Sequence, residues 1–85
     1  MRVYLVDRDL PEITREDLAM IQRAQINMSQ ELTAAGQPVR YLRSMFIPGE
    51  ARCMCLFEAE DEAAVAAANL AAGLPFTRIV AALDL

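Results

Sequence analysis

The chain has 85 residues, 55% hydrophobic and 24% charged, with 12 acidic against 8 basic side chains and a net charge of −4. This is the balance of one small globular domain, residues 1–85, and it excludes a disordered chain. An acidic surface repels a phosphate backbone, so nucleic-acid binding is not expected. The absence of histidine removes the commonest metal ligand and every Ser–His or Cys–His pair.

Val3-Tyr4-Leu5-Val6 is rich in strand formers and predicts a first strand over Arg2–Arg8, ended by Leu10-Pro11. Thr14 is placed as a helix N-cap, with Asp17 three residues on as a variant capping box. The helix is expected from Arg15 to Ala35. Leu18, Ile21, Ala24, Met28, Leu32 and Ala35 form one stripe at steps of three and four. Met20 and Ile26 fall off it. Gly36 is a natural residue just past the helix end, and Pro38 blocks continuation.

Val39–Ile47 reads as a second strand. Pro48-Gly49 predicts a turn, with Pro48 supplying a φ of about −65° and Gly49 tolerating a positive φ, and Arg52–Ala59 reads as the third strand, so that the two strands form a hairpin. The alanine-rich segment Asp61–Ala72 is a second helix, ended by Gly73 and Pro75, and Phe76–Leu83 a last strand. The order β-α-β-β-α-β is the ferredoxin-like α+β pattern. It predicts a four-stranded antiparallel sheet of order 4-1-3-2 with two helices on one face.

A half-solvated strand alternates apolar and polar residues. Cys53-Met54-Cys55-Leu56-Phe57 and Ile79–Leu83 do not. Both sheet faces therefore read as buried, and since the helices cover one, a second copy is the expected cover for the other: a homodimer. No apolar run approaches the ~20 residues needed to cross a membrane. Val3–Val6 is too short for a signal-peptide core, so a cytoplasmic protein is expected.

The topology places Asp7-Arg8-Asp9 beside Arg52-Cys53 and Thr77-Arg78, and Glu58 beside Arg2 and Arg40. Rim ion pairs are the plain reading; an anion site built on Arg8 and Arg78 is the sharper one. Cys53 and Cys55 point the same way from one strand, about 6.6–7 Å apart along it, a spacing that disfavours a disulfide. They suit core packing or, with further donors, a soft metal. Glu60-Asp61-Glu62 reads as a solvated helix start.

Val6-Asp7-Arg8-Asp9-Leu10-Pro11 resembles the V-E-R-x-L-P opening of a family of small bacterial ferredoxin-like proteins. Val39-Arg40-Tyr41-Leu42-Arg43-Ser44 resembles its strand ending in serine, and Cys55-Leu56-Phe57-Glu58-Ala59 its C-x-x-E-A strand. Ala72-Gly73-Leu74-Pro75-Phe76-Thr77-Arg78-Ile79 resembles its A-G-x-P-x-x-x-I ending. The family is largely of unknown function, carries a nickel-binding label and is expected to dimerise. The resemblance implies nickel as a cofactor, with Cys55 and Glu58 as the matched candidate ligands and Cys53 as a local addition. Ala68 stands where the family pattern often has histidine. Cys55 and Glu58 differ in parity and so do not share a strand face.

The expected function is that of a small dimeric binding protein for a metal or small ligand. The alternatives are a cofactor-free oxygenase- or isomerase-like enzyme and a purely structural module. Candidate ligand-binding residues are Arg8, Tyr41, Arg43, Cys55, Glu58 and Arg78. An apolar pocket lined by Tyr41, Arg43 or the cysteines would favour the enzyme or ligand carrier over the structural module.

Overall fold

The computed structural model of the protein describes residues 1–85. Its elements are β1 (Arg2–Asp9), α1 (Arg15–Ala34), β2 (Val39–Ile47), a 3-10 turn (Pro48–Glu50), β3 (Arg52–Ala59), α2 (Glu62–Ala71) and β4 (Arg78–Ala82). The sheet is ordered β2-β3-β1-β4, the expected 4-1-3-2 read from the other edge, and every pairing is antiparallel.

Local chemistry sets the helix ends. Thr14 accepts from the Asp17 amide at 3.1 Å while the Asp17 side chain accepts from the Thr14 amide, a full capping box. Asp61 caps α2 through the Ala64 amide at 2.9 Å. At the other ends Gly36 and Gly73 take positive φ. The amides of Gln37 and Leu74 then reach back to the carbonyls of Leu32 and Asn69, a Schellman closure in each case.

β3 is the central spine. Cys53, Cys55, Phe57 and Ala59 are buried and alternate with half-buried Arg52, Met54, Leu56 and Glu58. The buried set joins Tyr4, Val6, Val39, Ala64, Val65 and Ala68 in the core between sheet and helices. Phe57 packs edge-on against Tyr41 with ring centroids 5.5 Å apart. The opposite sheet face carries Leu5, Met45, Met54 and Leu56 and is covered by no element of the chain.

Three expectations need correction. The hairpin does not turn on a positive φ at Gly49. Pro48–Glu50 makes a 3-10 turn, and Ala51 takes the left-handed conformation at φ 52°. Its carbonyl, aimed at the Leu10 amide at 2.7 Å, offsets some of the roughly 1–2 kcal/mol that this conformation costs a residue with a Cβ. β4 is shorter than Phe76–Leu83, because its ladder to β1 runs only from Arg78 to Ala82.

The α1 stripe is half right. Leu18, Ile21, Ala24, Met28 and Leu32 are half-buried and Ala35 is exposed. The fully buried α1 residues are Gln25 and Ser29, which share the helix face aimed at the sheet. Met20 and Ile26 are exposed.

Candidate functional site

A bulge in β2 sets the geometry. Tyr41 pairs with Phe57 but Arg43 pairs with Leu56, so Leu42 is an extra residue and the strand changes parity there. Before the bulge Val39 and Tyr41 face the helices; after it Ser44 and Phe46 do, opposite Cys55 and Cys53. Tyr41 and Arg43, which would share a face in a regular strand, are separated by the bulge.

On the helix face a relay of hydrogen bonds has a fixed direction. Gln22 Nε2, a donor only, donates to Tyr41 Oη at 3.1 Å. Tyr41 Oη then gives its proton to Ser44 Oγ at 2.5 Å, and Ser44 Oγ donates to Cys55 Sγ at 3.1 Å. Cys53 Sγ lies 3.7 Å from Cys55 Sγ. The Cys55 sulfur is thus the terminal acceptor. Its thiol is pulled down first by the hydrogen bond from Cys53, against the opposing effect of burial, then by Ser44 and by the charge of Arg8. Cys53 moves the other way, pushed up by its bond to Cys55 and by burial. The hydrogen bond between them favours the thiolate form of Cys55 and disfavours that of Cys53. Burial also raises the Tyr41 phenol, which keeps it a donor in the relay.

Arg8 is the largest fully buried side chain, 1% exposed. It lies on the same face as Cys53, its partner in the β1–β3 ladder. Its guanidinium donates to Gln25 Oε1 at 3.2 Å, to Asn69 Oδ1 and to the Pro75 carbonyl at 3.3 Å. All three acceptors are neutral, and Arg8 Nε has no partner. The amide nitrogens of Gln25 and Asn69 are tied to the carbonyls of Ile21 and Val65, which orients both side-chain oxygens toward Arg8.

A cleft of about 570 Å³ opens between α1 and the β2–β3 hairpin. Leu18, Ile21 and Phe46 line it with Gln22, Ser44 and Cys53. A second groove of about 510 Å³ lies further along α1, lined by Ile26, Ser29, Thr33, Val39 and Tyr41 among others. The Gln22–Tyr41 hydrogen bond marks the boundary between the two.

The remaining candidates do not join this site. Arg78 lies on the opposite sheet face from Arg8, in register with Asp7, so no Arg8–Arg78 anion site exists. Glu58 pairs with Arg40 at 3.2 Å on the open face. Arg43 pairs with Asp84, which lies just beyond β4, so the C-terminal tail reaches back across that face. No three of the Cys, Asp and Glu side chains come together in a way that could hold a metal ion. Sequence reasoning missed the burial of Arg8 and its partners Gln25 and Asn69. The available signal was the polar residues that fall on the core-facing helix surfaces, Gln25 and Ser29 in α1 and Asn69 in α2.

Asp7 anchors the rim. Arg52 contacts it at 3.1 Å and Arg78 at 3.4 Å, while its carbonyl accepts from the Thr77 amide and hydroxyl. The hydrogen bond from Arg52, joined by the charges of both arginines, holds the carboxyl below its ordinary value despite opposing burial. A depressed folded pKa contributes stability that is complete above the unfolded value of about 3.9 and is lost as pH falls through the folded value. Melting temperature is therefore expected to drop in acid below about pH 4 for the native chain and to drop less for Asp7→Asn. Equal acid slopes for the two proteins would refute this role.

The chain matches the family model described as "Nickel responsive protein SCO4226-like" over residues 4–81. It is similar to the crystal structure of SCO4226 from Streptomyces coelicolor A3(2), with a TM-score of 0.83 at 18% identity over 98% of this chain and 99% of that one. At that identity the likeness establishes the common fold. No curated protein matches the sequence.

Proposed function

The chain belongs to the SCO4226-like family, and on that premise we propose a homodimeric, non-catalytic protein that binds a small ligand between α1 and the β2–β3 hairpin. The observation that carries this reading is the cleft of about 570 Å³, in which apolar Leu18, Ile21 and Phe46 surround the convergent polar groups of Gln22, Ser44 and Cys53. Ligand sites are mostly apolar concavities of this size with a few placed polar groups. The second copy would cover the open sheet face, where Leu5, Met45, Met54 and Leu56 form a continuous apolar patch.

Nickel, the metal of the family's description, does not fit this chain's residues. The only thiol pair sits beside a buried guanidinium, which opposes a divalent cation, and no imidazole or carboxylate completes a coordination shell. The proposed ligand is therefore an organic molecule with an apolar body.

8-Anilinonaphthalene-1-sulfonate, an apolar probe with one polar end, tests the cleft. The folded protein is expected to bind one probe per chain. Leu18→Trp, which fills the cleft from α1, is expected to weaken binding at least about tenfold, or about 1.4 kcal/mol, with the far-UV spectrum unchanged. Equal binding by Leu18→Trp, or none by the native protein, would overturn the proposal.

A further inference from the structure

Cys53, Cys55 and Arg8 form a unit of which the cleft reading uses Cys53 alone, as a wall of the cleft. The two sulfurs stand 3.7 Å apart. Metal–thiolate bonds of about 2.3 Å set a tetrahedral S···S edge near 3.8 Å and a linear span near 4.6 Å. The pair is therefore already spaced for two-sulfur ligation and must open slightly to become linear. Cys53 and Ser44 both line the cleft, which gives an ion a path in and the Cys53 sulfur room to turn.

Charge selects the ion. Arg8 stands opposite Cys53 in the β1–β3 ladder, on the same face of the sheet, and has no carboxylate partner, since its acceptors are Gln25, Asn69 and the Pro75 carbonyl. Two thiolates around a monovalent cation carry one net negative charge, which the guanidinium balances. Two thiolates around a divalent cation are neutral and leave the buried guanidinium without a counter-charge. Donor count points the same way. Only two thiols are present, with no third Cys, Asp or Glu beside them: too few for the four-coordinate zinc and iron–sulfur sites that thiolates also hold, and enough for two-coordinate Cu(I).

We infer that Cys53 and Cys55 form a two-thiolate site for a soft monovalent cation, Cu(I) or its analogue Ag(I), with Arg8 as the built-in counter-charge. Two metal–sulfur bonds form, the thiol protons leave to solvent, and the cation keeps its oxidation state. The site stands independently of what occupies the cleft.

Reduced protein, held without oxygen, is titrated against the coloured Cu(I) complex of bicinchoninate. The native chain is expected to withdraw one Cu(I) per chain, and an excess of Ni(II) is expected not to displace it. Cys53→Ala and Cys55→Ala are each expected to lose at least about 100-fold in affinity. Failure to withdraw Cu(I), displacement by Ni(II), one metal shared between two chains, or undiminished binding by either variant would overturn the inference. Should a variant lose its far-UV signal, the native mass spectrum of the unmodified chain with Ag(I) decides: one silver per chain supports the site, and none or one per two chains refutes it.

Discussion

Replacing Arg8 by alanine is expected to cost about 3–5 kcal/mol of folding stability, the range seen when a buried charged or large side chain is truncated. The guanidinium is 1% exposed and joins β1 to both helices and to the loop before β4. Its removal strands the side-chain oxygens of Gln25 and Asn69. Their amide nitrogens are already committed to Ile21 and Val65, so neither group can rotate to a new donor without breaking a bond. Each stranded acceptor costs about 1–3 kcal/mol, and the cavity adds to that.

A domain of this size has only about 4–13 kcal/mol in hand at 0.05–0.15 kcal/mol per residue. The variant is therefore expected to melt far below the native protein, with a much lower urea midpoint. Arg8→Met keeps most of the volume but not the donors, so the gap between it and Arg8→Ala reads the cavity contribution. An Arg8→Ala midpoint equivalent to less than about 1 kcal/mol of destabilisation would show that Arg8 does not hold the helices to the sheet.

Leu56→Glu is expected to turn the proposed dimer into a monomer while leaving the fold intact. Leu56 lies on the open face opposite Leu5 of β1 and beside Met54, and it is half-buried within one chain. A carboxylate there stays hydrated in the monomer. In a two-fold dimer each copy would bring the same charge to the shared face. Arg43, the ladder partner of Leu56, is already engaged by Asp84, so the new carboxylate has no cation of its own; burying such a charge costs several kcal/mol, and about 4 kcal/mol already raises the dissociation constant roughly a thousandfold. Light scattering coupled to size exclusion is expected to give twice the 9.4 kDa chain mass for the native protein and the single-chain mass for the variant. A native monomer, or a variant dimer, would remove the second copy from the proposal.

The two experiments address opposite faces of one sheet. Arg8 secures the helix face, where the cleft and the sulfur pair lie, and Leu56 reports on the uncovered face. Arg8→Met, with its packing largely kept, is expected to keep the oligomeric state of the native chain, and Leu56→Glu to keep the cleft, since Arg8 and Leu56 lie on opposite faces of the sheet.

Element order, sheet order and helix ends were legible from the residues alone. These rest on local rules: Thr14 and Asp61 cap the helices that start directly after them, Gly36 and Gly73 take the left-handed closure without a Cβ to oppose it, and the element order β-α-β-β-α-β is the ferredoxin-like pattern. The rim pairs of Asp7 with Arg52 and of Glu58 with Arg40 came from the same register.

The site was decided elsewhere. One extra residue at Leu42 reverses the parity of β2, bringing Ser44 to Cys55 and sending Arg43 to the far face, and no local signal marks that bulge. The face taken by Cys53 and Cys55, and the partners of Arg8, depend on contacts 17 to 67 residues apart in the chain. A buried guanidinium is tolerable only where several acceptors from different elements converge on it, and that convergence exists only once sheet and helices have packed together.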